Sequence, residues 1–239
     1  MASSPSPSFA ILCVGRVGSE HLVSLLDSHT EITCFSEVFA PDWAVEPQQG
    51  TLTVPHYVST PHERPASYWR ELTAELESPV AGLKLPWSSI EAHADTLELL
   101  AEPAVDIIRL TRRDRVAQYV SAWLALESGV WHSPQGSYRA GRIKVDPEKC
   151  RDALDRINRQ EGRLDRIARG HRVFKLTYEE LVDGHQLDDL QSFLGVQPHE
   201  LTSRYERLRE RPLRDVIENF DELAAALAET PFGIDHGAA

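Results

Sequence analysis

Residues 9–28, FAILCVGRVGSEHLVSLLDS, read as a buried strand, a tight loop and an amphipathic helix. Phe9 to Val14 is a continuous apolar run, short enough for a strand covered on both faces. Leu22, Leu25 and Leu26 then recur at helical spacing. Arg16, Gly18 and Ser19 sit at the joint. A helix N-terminus offers unpaired backbone N–H groups and a positive dipole end, which together bind an anion. Gly18 lets the backbone approach that anion closely, and Arg16 adds a fixed positive charge. The competing reading is an ordinary strand–turn–helix whose arginine is solvated.

The loop lacks the parts of two familiar phosphate sites. A nucleoside-triphosphate loop ends in Gly-Lys-Ser/Thr, so that a lysine reaches the phosphates and a hydroxyl holds magnesium. Here Gly18 is followed by Ser19 and Glu20, with no lysine nearby. A dinucleotide fingerprint needs three spaced glycines, and this loop has Gly15 and Gly18. The pattern suits phosphate bound without a metal ion.

The chain has 239 residues, 41% hydrophobic and 26% charged, enough for one sizeable core. Residues 9–234 are expected to form a single domain, with 1–8 and 235–239 as tails. A net charge of −12 argues against general nucleic-acid binding, which demands a basic face. Cys13, Cys34 and Cys150 are too scattered for a disulfide framework or a zinc site. The start, MASSPSPS, has neither the charge nor the apolar stretch of a secretory signal, and no run of about 18 apolar residues occurs. These features point to the cytoplasm. They leave a homo-oligomer open.

Strands are expected at Phe9–Val14, Ile32–Phe35, Val80–Leu85, Val105–Leu110 and Val173–Leu176. Helices are expected at Ser19–Ser28, Tyr68–Glu77, Ser89–Leu100, Val116–Ser128 and Pro147–Ala168, with shorter ones within Tyr178–Phe193 and Asp221–Ala228. Strands alternating with helices imply an α/β fold with a mainly parallel central sheet flanked by helices. Ligands collect beyond the C-terminal strand edges of such sheets. Arg16, Lys84 and Arg112/Arg113 follow or end the first, third and fourth strands. Two long irregular segments, 40–67 and 129–146, carry aromatics and are candidate acceptor-binding loops.

The fourth strand runs into the basic cluster Arg109, Arg112, Arg113 and Arg115, with Asp114 placed to cap the following helix. Ser121 lies about two turns beyond Arg113 on a similar face. An arginine fork with a hydroxyl donor can grip a terminal phosphate. The cluster read alone is equally a set of arginines paired with the chain's many carboxylates.

These residues carry a family resemblance. Arg16-Val17-Gly18-Ser19 is similar to the 5′-phosphosulfate loop of sulfotransferases that use 3′-phosphoadenosine 5′-phosphosulfate (PAPS). Arg113 through Ser121 resembles their 3′-phosphate motif, and Leu176-Thr177-Tyr178-Glu179-Glu180-Leu181 their later Tyr-Glu-Asp-Leu element. Gln118, Ser121, Gly129 and Trp131, with the Glu-bearing segment Cys34 to Phe39, resemble the bacterial carbohydrate sulfotransferases of the trehalose 2-sulfotransferase type. The resemblance implies a P-loop-like three-layer fold. Glu20 departs from it, standing where many relatives carry a hydroxyl. The Arg-Lys-Gly segment of the cytosolic animal enzymes is absent, with Arg209, Arg211 and Arg214 as possible substitutes.

The resemblance implies sulfuryl transfer from PAPS to a hydroxyl of a carbohydrate or other hydroxylated small molecule, without a metal. Gly18 and Ser19, with Glu20 beside them, would hold the 5′-phosphate, and Arg16 would stabilise the leaving oxygen. Arg113 and Ser121 would clamp the 3′-phosphate, and Glu37 would act as general base. Lys84, Trp131 and His132 are candidate acceptor or sulfate contacts. His21 and His29 read as structural, as do Tyr178 and Glu179. A P-loop kinase would require a loop lysine and magnesium ligands, and a non-catalytic nucleotide-binding protein is the other alternative.

Overall fold

A computed structural model describes residues 7–41, 57, 64–101, 104–129, 141–205 and 212–234. Five strands form one wholly parallel sheet: β1 (Phe9–Cys13), β2 (Ile32–Phe35), β3 (Val80–Pro86), β4 (Asp106–Thr111) and β5 (Val173–Thr177), in the order β2-β3-β1-β4-β5. β1 is central. The chain leaves it first toward β2 and β3, then crosses to β4 and β5 on its other side. That reversal makes the C-terminal end of β1 a topological switch point, where such sheets open a crevice.

Alternation along β1 divides the core. Phe9, Ile11 and Cys13 face α1 (Ser19–Asp27) and two later helices, α6 (Tyr178–Val182) and α7 (Leu187–Phe193). Ala10, Leu12 and Val14 face the opposite layer. It includes α2 (Pro65–Leu72), α3 (Trp87–Ala92) and one face of α5 (Pro147–Ile167). With both faces covered, β1 is buried throughout, as its unbroken apolar run required. Gly82 on β3 lies directly under the Phe9 ring, where a Cβ would collide with it. A third cluster joins α4 (Arg115–Ser128) and α5 to α8 (Leu213–Val216) and α9 (Phe220–Leu227).

The expected strands are all present. Helix limits differ where side chains intervene. α2 begins at Pro65, whose fixed φ suits a first helical position, and ends where Thr73 Oγ1 bonds back to the Trp69 carbonyl at 2.9 Å. The helix expected over Ser89–Leu100 breaks at His93. Its ring packs edge-on against Tyr57, and the chain continues as a 3₁₀ helix over Ala94–Leu100. Asp114 caps α4 by accepting from Ala117 N at 2.8 Å. Among the described residues, no helix is long and apolar enough to cross a membrane.

Candidate functional site

The turn between β1 and α1 is built for close approach. Gly18 is the N-cap of α1 at φ +77° and brings no capping side chain of its own to the helix start. A Cβ there would lie 2.7 Å from the Tyr178 ring and force it to shift, so the position strongly favours glycine. Arg16 also adopts a left-handed φ of 67°, unfavourable for a residue with a side chain. Its surroundings hold it there. Gln118 Nε2 donates to the Gly15 carbonyl at 2.7 Å, and Arg112 Nη1 reaches the Arg16 carbonyl at 3.4 Å. The Arg16 guanidinium then donates from Nε to Ser121 Oγ at 3.1 Å. Two motifs far apart in sequence thus meet over the β1–β4 edge.

The basic cluster divides. Arg109 is buried, ion-paired with Glu161 and, at 2.9 Å, with Asp165, both on α5. Arg115 joins the same Glu161 at 2.8 Å. Arg109 thereby holds α5 to β4, and Arg115 holds it to the start of α4. Arg112 lies over the Tyr178 ring, 4.4 Å from its centroid. Arg113 alone of the four projects largely into solvent, 63% exposed, 3.6 Å from Glu179. Carboxylates on α5 thus take up two of the four arginines, the pairing that the cluster read alone had offered beside a phosphate grip.

The Thr-Tyr-Glu-Glu-Leu segment divides its contacts by residue, and helix initiation falls to Thr177 and Glu180 rather than to Glu179. Thr177 and Glu180 form a reciprocal capping box at the start of α6. Tyr178 packs beneath Gly18 and Arg112. Glu179 accepts from the backbone N–H groups of Arg113 and Asp114.

On the other side of β1, Lys84 projects from β3 and is only 2% exposed. It is ion-paired with Glu20 of α1 and with Glu37, 2.5 Å away on the loop after β2. Burial alone would push the Lys84 ammonium down. Glu20 and Glu37 outweigh that penalty and hold it above the ordinary lysine range. Ser36 Oγ donates to the same Glu20 oxygen at 2.6 Å. Glu20, which stands where many relatives carry a hydroxyl, points across to Lys84 of β3 and to the loop after β2. Burial pushes the neighbouring Cys13 thiol up to about 12, so it stays protonated.

Trp131, His132, Arg209 and Arg211 lie outside the described residues. Arg214 pairs with Asp221 at 3.0 Å. His29 is structural: Glu31 N–H donates to its Nδ1 and its Nε2 meets the Gln197 carbonyl, each at 3.0 Å. His21 Nδ1 meets Ser203 Oγ at 2.9 Å, fixing the 201–205 segment to α1. That segment also brings Tyr205 near Glu20 and Lys84, a neighbour with no signal in the local sequence.

Residues 8–173, which carry the turn, Glu37, Lys84 and the Arg113–Ser121 segment, match the family model described as Stf0 sulphotransferase. The chain belongs to the Stf0 sulphotransferase family. It is thus a transferase enzyme of the sulfotransferase class. A sulfotransferase from Alicyclobacillus acidocaldarius, known from its crystal structure, superposes with a TM-score of 0.52 at 16% identity, covering 93% of each chain. That likeness shows the P-loop-like three-layer fold for this sulfotransferase. No curated protein matches the chain.

Proposed function

We propose that this sulfotransferase transfers a sulfuryl group from PAPS to a hydroxyl of a carbohydrate or another hydroxylated small molecule. The observation that carries the reading is the hydrogen bond from Arg16 to Ser121, between side chains 105 residues apart. It joins an anion-ready helix N-terminus to the helix that follows Arg113. An adenosine with phosphates on both its 5′ and 3′ positions needs two such cationic ends at one crevice.

The residues fit such a donor. Gly18 and Ser19 present N–H groups at the N-terminus of α1, where the 5′-phosphate would sit. Arg113 and Ser121 would hold the 3′-phosphate. The donor supplies a phosphate–sulfate anhydride whose sulfur is open to in-line attack. Transfer through a loose transition state depends on positioning and charge neutralisation. Arg16 would stabilise charge growing on the bridging oxygen. Glu37, at the carboxyl edge of the sheet and partly exposed, would take the acceptor's proton.

Adding 3′-phosphoadenosine 5′-phosphate should raise the melting temperature saturably, since a ligand of the folded state stabilises it. Arg113→Ala should lose most of that shift. Glu37→Gln should keep it while losing roughly 10²-fold or more in transfer rate. A wild-type rate in Glu37→Gln would move the base elsewhere. Absence of any shift in the unaltered enzyme would overturn the donor assignment.

A further inference from the structure

Charged side chains from α1, β3 and the loop after β2 meet beside the turn. Lys84 pairs with both Glu20 and Glu37. Glu20 is tied to that loop twice, through Lys84 and through the Ser36 hydroxyl. It is also the second residue of α1, adjacent to Ser19 and two residues from Gly18. It therefore links the turn assigned to the donor with the loop assigned to the base.

We propose that Glu20 is a positioning residue that takes up the charge of Lys84, so that Glu37 can accept the acceptor's proton. This rests on the reading of Glu37 as the base. Two carboxylates and one ammonium carry one net negative charge. When Glu37 gains a proton, what remains is a neutral acid beside a neutral Lys84–Glu20 ion pair. Without the Glu20 carboxylate, the same step would begin from a neutral Lys84–Glu37 pair and end with a lone buried ammonium, which is strongly unfavourable. An ammonium serving Glu37 alone would also hold that carboxylate ionised and weaken it as a proton acceptor.

The step balances. The acceptor O–H bond breaks and its proton bonds to a Glu37 oxygen. The acceptor oxygen's electron pair forms the new S–O bond. The bridging S–O bond of the donor breaks, its electrons leaving on the phosphate oxygen of the released nucleotide.

Four further titratable groups, Cys13, Cys34, Tyr205 and Arg109, lie around the triad. Cys13 of β1 lies near Lys84 and Glu37, and Cys34 of β2 near Glu20 and Lys84. Burial holds both thiols above their ordinary range. Tyr205 is held up by burial and by Glu20, with the cation Arg204 beside it. Arg109, near Cys13, is engaged by Glu161 and Asp165.

The test is a carbon-detected NMR titration of the full-length protein labelled at glutamate carboxyls, with the Glu37 signal assigned by its loss in Glu37→Gln. Glu20→Gln should lower the Glu37 midpoint by about one pH unit or more, a tenfold loss of proton affinity. Glu20→Asp should keep it near the wild-type position. Affinity for 3′-phosphoadenosine 5′-phosphate should stay within about twofold in both. Glu20→Thr, which retains an oxygen for Ser36, serves as a second charge-removing variant should the glutamine form fold poorly. An unmoved or raised midpoint on charge removal overturns the proposal, as does a loss of nucleotide affinity, which would make Glu20 a donor contact. A shifted midpoint with wild-type transfer by Glu37→Gln would instead sink the base assignment, and with it the role given to Glu20, while the charge coupling between the two carboxylates would stand.

Discussion

Glu179 accepts hydrogen bonds from the backbone N–H groups of Arg113 and Asp114, at 3.0 and 3.1 Å, while its carboxylate lies 3.6 Å from the Arg113 guanidinium. One side chain on α6 thereby shapes the loop that presents Arg113 and competes for Arg113 itself. The two effects oppose each other in nucleotide binding. An exposed ion pair contributes about 0–1 kcal/mol, so freeing Arg113 gains little. Hydrogen bonds to a charged group contribute about 1.5–3 kcal/mol, so releasing the loop loses more. Glu179→Ala should therefore weaken binding of 3′-phosphoadenosine 5′-phosphate by roughly tenfold in calorimetry. Tighter binding would mean that competition, not loop support, dominates.

Gly18 makes a second test of how the turn is held. An alanine there would incur about 1–2 kcal/mol for a left-handed backbone. It would also press its methyl into the Tyr178 ring, 2.7 Å away. Overpacking of that kind costs about 1–3 kcal/mol. Gly18→Ala should lower the melting temperature by roughly 4–20 °C, given about 2–4 °C per kcal/mol for a domain of this size. Adding Tyr178→Ala should relieve the collision but not the backbone strain, so the pair should couple in a double-mutant cycle. Additive losses would show that the ring yields freely.

The turn and the sheet were legible because they follow from local rules. An unbroken apolar run, a glycine before a helical pattern and strands alternating with helices leave few arrangements. The same rules brought Arg16, Lys84 and Arg113 to one edge. They could not say which cations would be spent on the fold. Arg109 and Arg115 are claimed by Glu161, 52 and 46 residues further on, and nothing near either arginine in sequence announces that carboxylate. Glu20 stood out only as a missing hydroxyl. Its partner Lys84 is 64 residues away, brought close by the parallel register of β1 and β3.

The division of the arginines predicts a clean separation of stability from binding. Arg109 and Glu161 are both buried, and removing one partner of such a pair costs about 3–5 kcal/mol because the other charge is left stranded. Glu161→Gln should therefore lower the denaturation midpoint severely. Nucleotide affinity, measured well below the transition, should stay within about twofold, since α5 supports the sheet rather than the crevice. Equal losses in both would place Glu161 within the binding network.

His21 gives the fold a dependence on mild acid. Burial holds its imidazole below the ordinary histidine value of 6.5, an effect that a backbone hydrogen bond at Tyr205 only partly offsets. The folded state thus binds this proton less readily than the unfolded chain. Stability from this source is fully present above pH 6.5 and is lost as the pH falls through the lower folded value. Glu98 and Glu180 are held below their ordinary 4.5, so their own losses begin only beneath that pH. Between pH 7.5 and 5.5 the melting temperature should therefore fall in the wild type and fall less in His21→Gln, whose amide can still meet Ser203. Identical slopes would show that the 201–205 segment yields and lets the ring reach water before the proton arrives.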